Sequence, residues 1–448
     1  MTPAIPTVKF SFLSALQLIR GLQRDMLYHL TGMHTTHGDN VMVIIGGSQQ
    51  LITASPGLIR DVLVTKAHAF CKDNDYKDRK RGLARFLGNG LLTSDGEFWK
   101  RQRKLVSPAL HAKRIEAYAN TMVRYAQERI ATWRDGEQRD IAREMNGITM
   151  RIVGKTMFNV EVRNDIESVH GAMQAIQNAM ISAQLMPVPT WIPTPTELRA
   201  RQASKTLDEF IYRTVQAWRA SGEDKGDLLS MLLLARDDDG NPMTDEQARD
   251  EIATLFLAGH ETTANALNWA WMLLAQHPHV AEKLHAELDS VLAGNAPTLA
   301  DLKRLPYTEQ VVKETLRLYP PAYTISRQAT QEVEAGGYPI PEGTVITINI
   351  YNLHRNPKYW DAPDDFIPER FAKGEDSLTH RYAYLPFGGG ARVCIGNSFA
   401  MMEAQLLLAT IAQRFSLHLS EGQKVEVYPA ITLNPKGGLP MNVKARAV

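Results

Sequence analysis

The stretch FGGGARVCIGN, residues 387–397, sets Cys394, one of only two cysteines in the chain, among four glycines and an arginine. Gly388, Gly389, Gly390 and Gly396 allow the backbone to fold tightly and to lie close against a flat ligand. The run NSFAMMEAQLLLATIAQRF that follows has helical spacing. Cys394 therefore falls just ahead of a helix N-terminus, where free N–H groups and the helix dipole favour an anion. The anion on offer is a thiolate, the form of cysteine that binds metal. An isolated cysteine is more often a small buried hydrophobe, but this setting favours a ligand. One thiolate falls short of the four ligands of structural zinc. It suffices for haem, whose macrocycle supplies the other nitrogens, and Arg392 is then placed to pair with a propionate.

Three further groups carry candidate chemistry. Ala258-Gly259-His260-Glu261-Thr262-Thr263 lies in a long helical run. There Thr262 offers a hydroxyl, Glu261 an acid for proton transfer through water, and Gly259 room beside a small ligand and scope for local widening of the helix. On its own the His-Glu pair reads as a surface feature. A zinc-protease reading fails, because the second histidine expected four residues on is Ala264. Trp99 and Arg103 are four apart, so on a helix the indole and guanidinium share a face, where both can reach carboxylates. Glu314 and Arg317 are three apart on another helical face, the spacing of an ordinary surface ion pair.

The elements that must position these groups are mostly helical. A capping box at Thr244 and Gln247 starts a helix whose pattern runs to Gln276, before His277-Pro278; at ~1.5 Å per residue it is long enough to cross a domain. Helical spacing also dominates about 98–158 and 307–318. VMVIIGG and QQLITASPG read as a hairpin, and VITINIY as a strand. The segment about 8–31 is apolar but interrupted by Arg20, Arg24 and Asp25, and reads as one amphipathic helix. Prolines at 187, 189, 193 and 195 mark a loop. Lys+Arg 50 against Asp+Glu 49 leaves +1, so global charge argues for no nucleic-acid partner. No run reaches the ~18 apolar residues of a membrane span. Two cysteines suit a reducing compartment and exclude a disulfide framework.

Phe387-x-x-Gly390-x-Arg392-x-Cys394-x-Gly396 resembles the haem-binding loop of the cytochrome P450 family, and AGHETT resembles its oxygen-activation motif. Glu314-Thr315-Leu316-Arg317 and Pro363-x-x-Phe366-x-Pro368-Glu369-Arg370-Phe371 match two more of its motifs in order, so that the resemblance covers the chain from about residue 41. It implies a single domain over 1–448, mainly α with a small β subdomain, the long central helix lying over the haem, and no fused reductase. It implies a monooxygenase that inserts one atom of O2 into an apolar fatty-acid-, terpenoid- or other lipid-like substrate. The cofactor it implies is haem b, iron protoporphyrin IX, with Cys394 expected as the axial ligand of its iron and Glu261 and Thr262 expected to deliver protons. By the same resemblance Trp99, Arg103, Arg327 and Arg392 are expected to anchor the propionates, Ala258, Phe387 and Gly396 to line the cofactor, and Glu314, Arg317 and Arg370 to form a buried scaffold. Substrate-facing residues are expected at Leu257, Ala258, Ala322, Tyr323, Thr324, Ile325 and Ile431, and within 72–87 and 175–195.

Electrons would come from a separate ferredoxin or flavodoxin with its reductase, steered to the basic run Lys100, Arg101, Arg103, Lys104, Lys113 and Arg114. The resemblance points to a cytoplasmic, bacterial-type monomer without an integral membrane segment, its motif wording nearest to fatty-acid hydroxylases. A peroxide-driven or rearranging haem-thiolate enzyme, and a non-catalytic haem sensor, are the alternatives. The acid–alcohol pair Glu261-Thr262 weighs against both.

Overall fold

The computed structural model describes residues 4–110, 116–161, 166–185, 192, 194–221, 223–224, 227–236, 240–375 and 378–447. In chain order the principal elements begin with β1 (Thr7–Phe10), α1 (Phe12–Arg24), α2 (Met26–His37), β2 (Asn40–Ile45), β3 (Ser48–Thr53) and β4 (Phe70–Cys71). There follow α3 (Gly96–Val106), α4 (Ala119–Ile130), β5 (Gln138–Asp140), α5 (Ile141–Phe158), α6 (Ile166–Leu185), α7 (Pro195–Ser221) and α8 (Leu228–Leu234). Then come α9 (Asp245–Gln276), α10 (Pro278–Leu292), α11 (Pro306–Leu318), β6 (Thr324–Ala329), β7 (Val333–Ala335), β8 (Tyr338–Ile340) and β9 (Val345–Asn349). The chain closes with α12 (Asn397–Arg414), β10 (Phe415–His418), β11 (Val427–Pro429), β12 (Leu433–Pro435) and β13 (Pro440–Ala445). Helix dominates, with a minor share of strand.

The chain divides into two compact units, one of Met1–Lys77, Leu316–Asp365 and Lys373–Cys394, the other of Asp78–Thr315, Phe366–Ala372 and Ile395–Val448. The first is built on a mixed six-stranded sheet in the order β1-β2-β3-β9-β6-β4. Its hairpin β2–β3 turns at Gly46 and Gly47, both with positive φ (55° and 86°), as a two-residue turn that follows the strand twist requires. Side chains alternate across these strands. Val41, Val43 and Ile52 pack with Leu30 of α2 on one face. Met42 and Leu51 join Leu58, Ile59, Ile346 and Ile348 on the other. Both faces are thus covered.

Residues 8–31 do not form the single helix expected from their pattern. The chain passes from β1 into α1, breaks at Asp25 (φ −156°), and restarts as α2. Asp25 causes the break: its carboxylate accepts the Tyr28 N–H at 2.9 Å and caps α2, a bond it could not make from inside a helix.

In the first unit Arg317, fully buried, donates to the carbonyls of His354 (2.8 Å), Pro363 (2.6 Å) and Asp365 (2.9 Å). In the second, Glu314 is fully buried, accepts the Ile367 N–H at 2.9 Å and meets Arg370 at 3.2 Å. These residues are scaffold, as expected. Glu314 and Arg317 are both buried, and not at the surface that their spacing alone would suggest.

The second unit is organised around α9. Its capping box at Thr244 and Gln247 forms as the sequence predicts, and its end at Gln276 is as expected. At ~1.5 Å per residue its 32 residues span roughly 48 Å. Side chains are buried all round it, with α5, α7, α10 and α12 packed alongside. Trp269 also donates its indole N–H to the Leu433 carbonyl at 2.8 Å, tying α9 to the β11–β12 hairpin. The Pro-rich stretch expected as a loop lies outside the described residues at 186–191 and 193, and α7 already opens at Pro195, the position where proline suits a helix.

Two adjoining acids at the N-terminal end of α9 grip the irregular segment after Leu87. Asp250 accepts the Asn89 N–H at 2.7 Å, and Glu251 the Leu91 N–H at 3.0 Å. Burial, reinforced by the neighbouring Asp250 charge, pushes the Glu251 pKa up to about 8. Between an ordinary glutamate pKa and 8 the folded chain holds a proton that the unfolded chain has lost. Stability from this group is therefore fully present below about pH 4.5, is lost as pH rises through 8, and is level beyond. Glu251→Gln, which keeps an acceptor for Leu91, is expected to match wild type at pH 5. It should become the more stable protein by pH 8, with a slope of at most about 1.4 kcal/mol per pH unit. Urea unfolding at the two pH values measures this, and a constant difference would refute it.

Candidate functional site

The Cys394 loop belongs to the first unit. It closes on itself: the Cys394 N–H donates to the Phe387 carbonyl at 2.9 Å, Val393 N–H to Gly390 at 3.1 Å, and Gly388 N–H to Leu385 at 3.1 Å. Gly388 and Gly390 have φ of 69° and 67°, a region that glycine enters without strain. A β-carbon on Gly390 would stand 1.9 Å from the Leu63 carbonyl oxygen, so this turn lies against backbone. Leu385 donates its N–H to Nε2 of His354 at 2.8 Å, and the His354 Nδ1 faces the Arg317 carbonyl at 3.0 Å. Burial pushes the His354 pKa down to about 3, so its neutral ring accepts on one side and donates on the other. The loop is rigidly founded, and it leaves the Cys394 thiol exposed.

The same unit holds a group of cations and candidate pocket residues. Arg392 is half-buried on the loop itself. Arg327 is buried on β6 and donates to the Ser326 carbonyl at 2.7 Å. Lys72, which the sequence did not single out, is buried with its ammonium 3.7 Å from the ring centre of Tyr76. Ala322, Thr324 and Ile325 are half-buried. Tyr323 is buried, and its hydroxyl lies 3.6 Å from the Met26 sulfur, so its polar end is committed to α2.

In the second unit, α9 turns three consecutive residues to three surroundings. His260 is buried, its Nδ1 2.8 Å from the Phe256 carbonyl and its ring 5.6 Å from that of Phe256; burial lowers its pKa to about 4. Glu261 is buried, with its carboxyl bonded to Thr432 and Gln177. The surface His-Glu pair that the dipeptide suggests is therefore replaced by two buried groups. Thr262 is half-buried and donates its hydroxyl to the Ala258 carbonyl at 2.7 Å, one turn back. Ala258 is exposed and Leu257 buried. Gly259 also has a packing role. The helix runs through it without widening, and a β-carbon there would meet Val153 of α5 at 3.2 Å, so the glycine permits close helix packing.

Trp99 and Arg103 share one face of α3, the guanidinium 5.7 Å from the indole centre. Lys100, Arg101 and Lys104 are exposed on the same helix, Lys100 paired with Glu97 at 2.6 Å; Lys113 and Arg114 lie outside the described residues. Ile431 is half-buried between β11 and β12. Sequence reasoning missed Gln177 and Thr432, the partners of Glu261. Both are polar residues in apolar surroundings, and nothing in their spacing connects them to it.

Known proteins place these features in one class. The profile of the family described as Cytochrome P450 matches residues 3–440. Cyclooctatin synthase of Streptomyces melanosporofaciens is 38% identical over 89% of this chain and 87% of its own. Cyclooctat-9-en-7-ol 5-monooxygenase of the same organism is 35% identical over 85% and 83%. Pentalenene oxygenase of Streptomyces avermitilis is 32% identical over 93% of each chain. The chain belongs to the cytochrome P450 family. It is a haem-dependent monooxygenase, mainly α with a small β part, as the sequence led one to expect. Among the described residues no helix is long and apolar enough to cross a membrane.

The residues present fit the family's haem. An exposed thiol on a rigid loop is the single protein ligand that haem-thiolate chemistry needs. No group of three or more metal-ligating side chains competes with it among the described residues. The buried guanidinium of Arg327 suits a carboxylate partner.

Proposed function

We propose that this chain is a haem b monooxygenase acting on a polycyclic, terpene-type hydrocarbon or its mono-alcohol. The observation that carries this reading is the set of relatives at 32–38% identity along nearly their whole length, two of them named for pentalenene and for cyclooctat-9-en-7-ol. The residues assigned to the substrate support it. Leu257, Ala258, Ala322, Thr324, Ile325 and Ile431 carry no charge, which suits a hydrocarbon; the cations that could pair with a fatty-acid carboxylate lie in the segment 72–87.

Bound haem supplies the redox-active iron at which O2 is reduced. In this reading Cys394 would supply the thiolate ligand of the haem iron, with Phe387 in the same loop. Ala258 and Gly396 would contact the haem, and Trp99, Arg103, Arg327 and Arg392 would hold its propionates. Glu261 and Thr262 move protons: the carboxyl receives one from water, and the hydroxyl hands one on after releasing the Ala258 carbonyl. The exposed cations of α3 receive an acidic ferredoxin or flavodoxin, itself reduced by a separate reductase. The enzyme works as a single functional domain, a monomer in the cytoplasm. Retention of both Glu261 and Thr262 disfavours a peroxide-driven or rearranging enzyme and a haem sensor.

Optical titration of the ferric protein tests the substrate class. Pentalenene and cyclooctat-9-en-7-ol are expected to convert the low-spin spectrum to high spin at micromolar concentration. Palmitate is expected to leave it unchanged. A shift with palmitate alone would overturn the terpene reading and restore the fatty-acid one.

A further inference from the structure

Glu261 is held by elements far from it in the chain. Thr432 Oγ1 donates to one carboxyl oxygen at 2.5 Å, and Gln177 Nε2 of α6 donates to the other at 2.6 Å. Asn265, one turn beyond Glu261 on the same face of α9, donates its amide to Thr432 Oγ1 at 3.0 Å and also to Asn434. Asn434 in turn donates to the Thr432 carbonyl at 3.1 Å. With an amide hydrogen facing its oxygen, Thr432 turns its own hydrogen to the carboxylate at 2.5 Å, which is nearer than the Asn434 amide oxygen at 3.4 Å.

We propose that Thr432, oriented by Asn265 and Asn434, is a positioning residue for proton delivery: it fixes the direction of the Glu261 carboxyl on α9, with Gln177 steadying the second oxygen. The inference rests on the proton-delivery role proposed above for Glu261. The arrangement differs from a sealed structural network. A carboxylate offers about four lone-pair sites, and among the described residues the donors that bear on this one are Thr432, Gln177 and Asn434. A site is left for an exchangeable proton. Burial is the larger effect and holds the Glu261 pKa above the ordinary carboxylate value, while these donors pull it down, so its protonation responds to the loss of any donor.

The test compares haem-loaded wild type with Thr432→Val, Thr432→Ser and Glu261→Gln. Each must retain the red-shifted Soret band of its reduced CO complex, which shows that the haem environment is intact. Two quantities are read. One is the carboxylate stretch of Glu261 in the infrared spectrum, identified by its loss in Glu261→Gln. The other is O2 uptake driven by NADPH, a ferredoxin and ferredoxin reductase without added substrate, in H2O and D2O.

Thr432→Val, equal in volume but lacking the hydroxyl, is expected to shift the carboxylate band. It should also slow O2 uptake on the order of tenfold, the effect of losing one hydrogen bond to a charged group, with a larger solvent isotope effect. Thr432→Ser should restore all three. The inference is overturned if Val leaves either the band or the uptake at the wild-type value, or if Ser fails to rescue. If Glu261→Gln itself consumes O2 at the wild-type rate, the proton-delivery reading of Glu261 falls first.

Discussion

Cys394→Ser is expected to remove the red-shifted Soret band of the dithionite-reduced, CO-bound protein and to reduce product formation to background. The substitution is nearly isosteric. The loop hydrogen bond at this residue uses its backbone N–H, donated to Phe387, so the turn itself should survive. What is lost is the soft anionic donor, since a serine hydroxyl does not ionise in the accessible pH range and cannot replace a thiolate. The other cysteine provides the control. Cys71 lies on β4, half-buried, with Lys77 Nζ 3.4 Å from its sulfur, and Cys71→Ser should leave the band in place. A thiolate-type band persisting in Cys394→Ser would show that Cys394 is not the ligand, and the roles assigned around it would fall together.

The second large effect is on stability. Gly390→Ala meets two penalties at once: φ of 67°, and a β-carbon 1.9 Å from the Leu63 carbonyl oxygen, which belongs to backbone and has no rotamer to escape into. Left-handed strain costs about 1–3 kcal/mol, and overpacking of a tight site roughly 1–3 kcal/mol more. Gly388→Ala has the same backbone requirement at φ 69°, yet its nearest neighbour is Ile325 Cδ1 at 3.9 Å, an ordinary contact. It should incur only the strain. Guanidinium unfolding of the two variants gives the comparison. Equal losses, or a larger one at Gly388, would contradict the loop geometry.

Much of the architecture was legible because its signals are local. Thr244 and Gln247 mark the start of α9 three residues apart, and Gly46-Gly47 fixes the β2–β3 hairpin. The Cys394 loop was legible for the same reason, with its ligand, hinges and arginine inside ten residues. What was not legible depended on distant partners or on competition between equal signals. Asp25 reads as a polar interruption of an amphipathic helix, but only the fold shows that it caps the next one. The packing of Gly259 against Val153, more than a hundred residues earlier, has no local signal either. Glu261 was singled out while Thr432 and Gln177 were not, because hydrogen bonds across 171 and 84 residues leave no periodicity to find. Burial of Glu314 with Arg370, 56 residues apart, was foreseen through the family resemblance alone, since the residues themselves suggested a surface pair.

The assignment of three successive α9 residues to three surroundings limits how this protein can change over evolutionary time. One residue inserted between Thr244 and Ala258 would advance everything downstream by ~1.5 Å and rotate it by about 100°. The residue one place earlier would then face the bonds that Glu261 now makes with Thr432 and Gln177. The register is restored within the helix by a compensating deletion or by a one-turn bulge that absorbs the extra residue. Descendants of this sequence are therefore constrained along α9 in number as well as in kind, and length variation falls mainly to the loops at its ends.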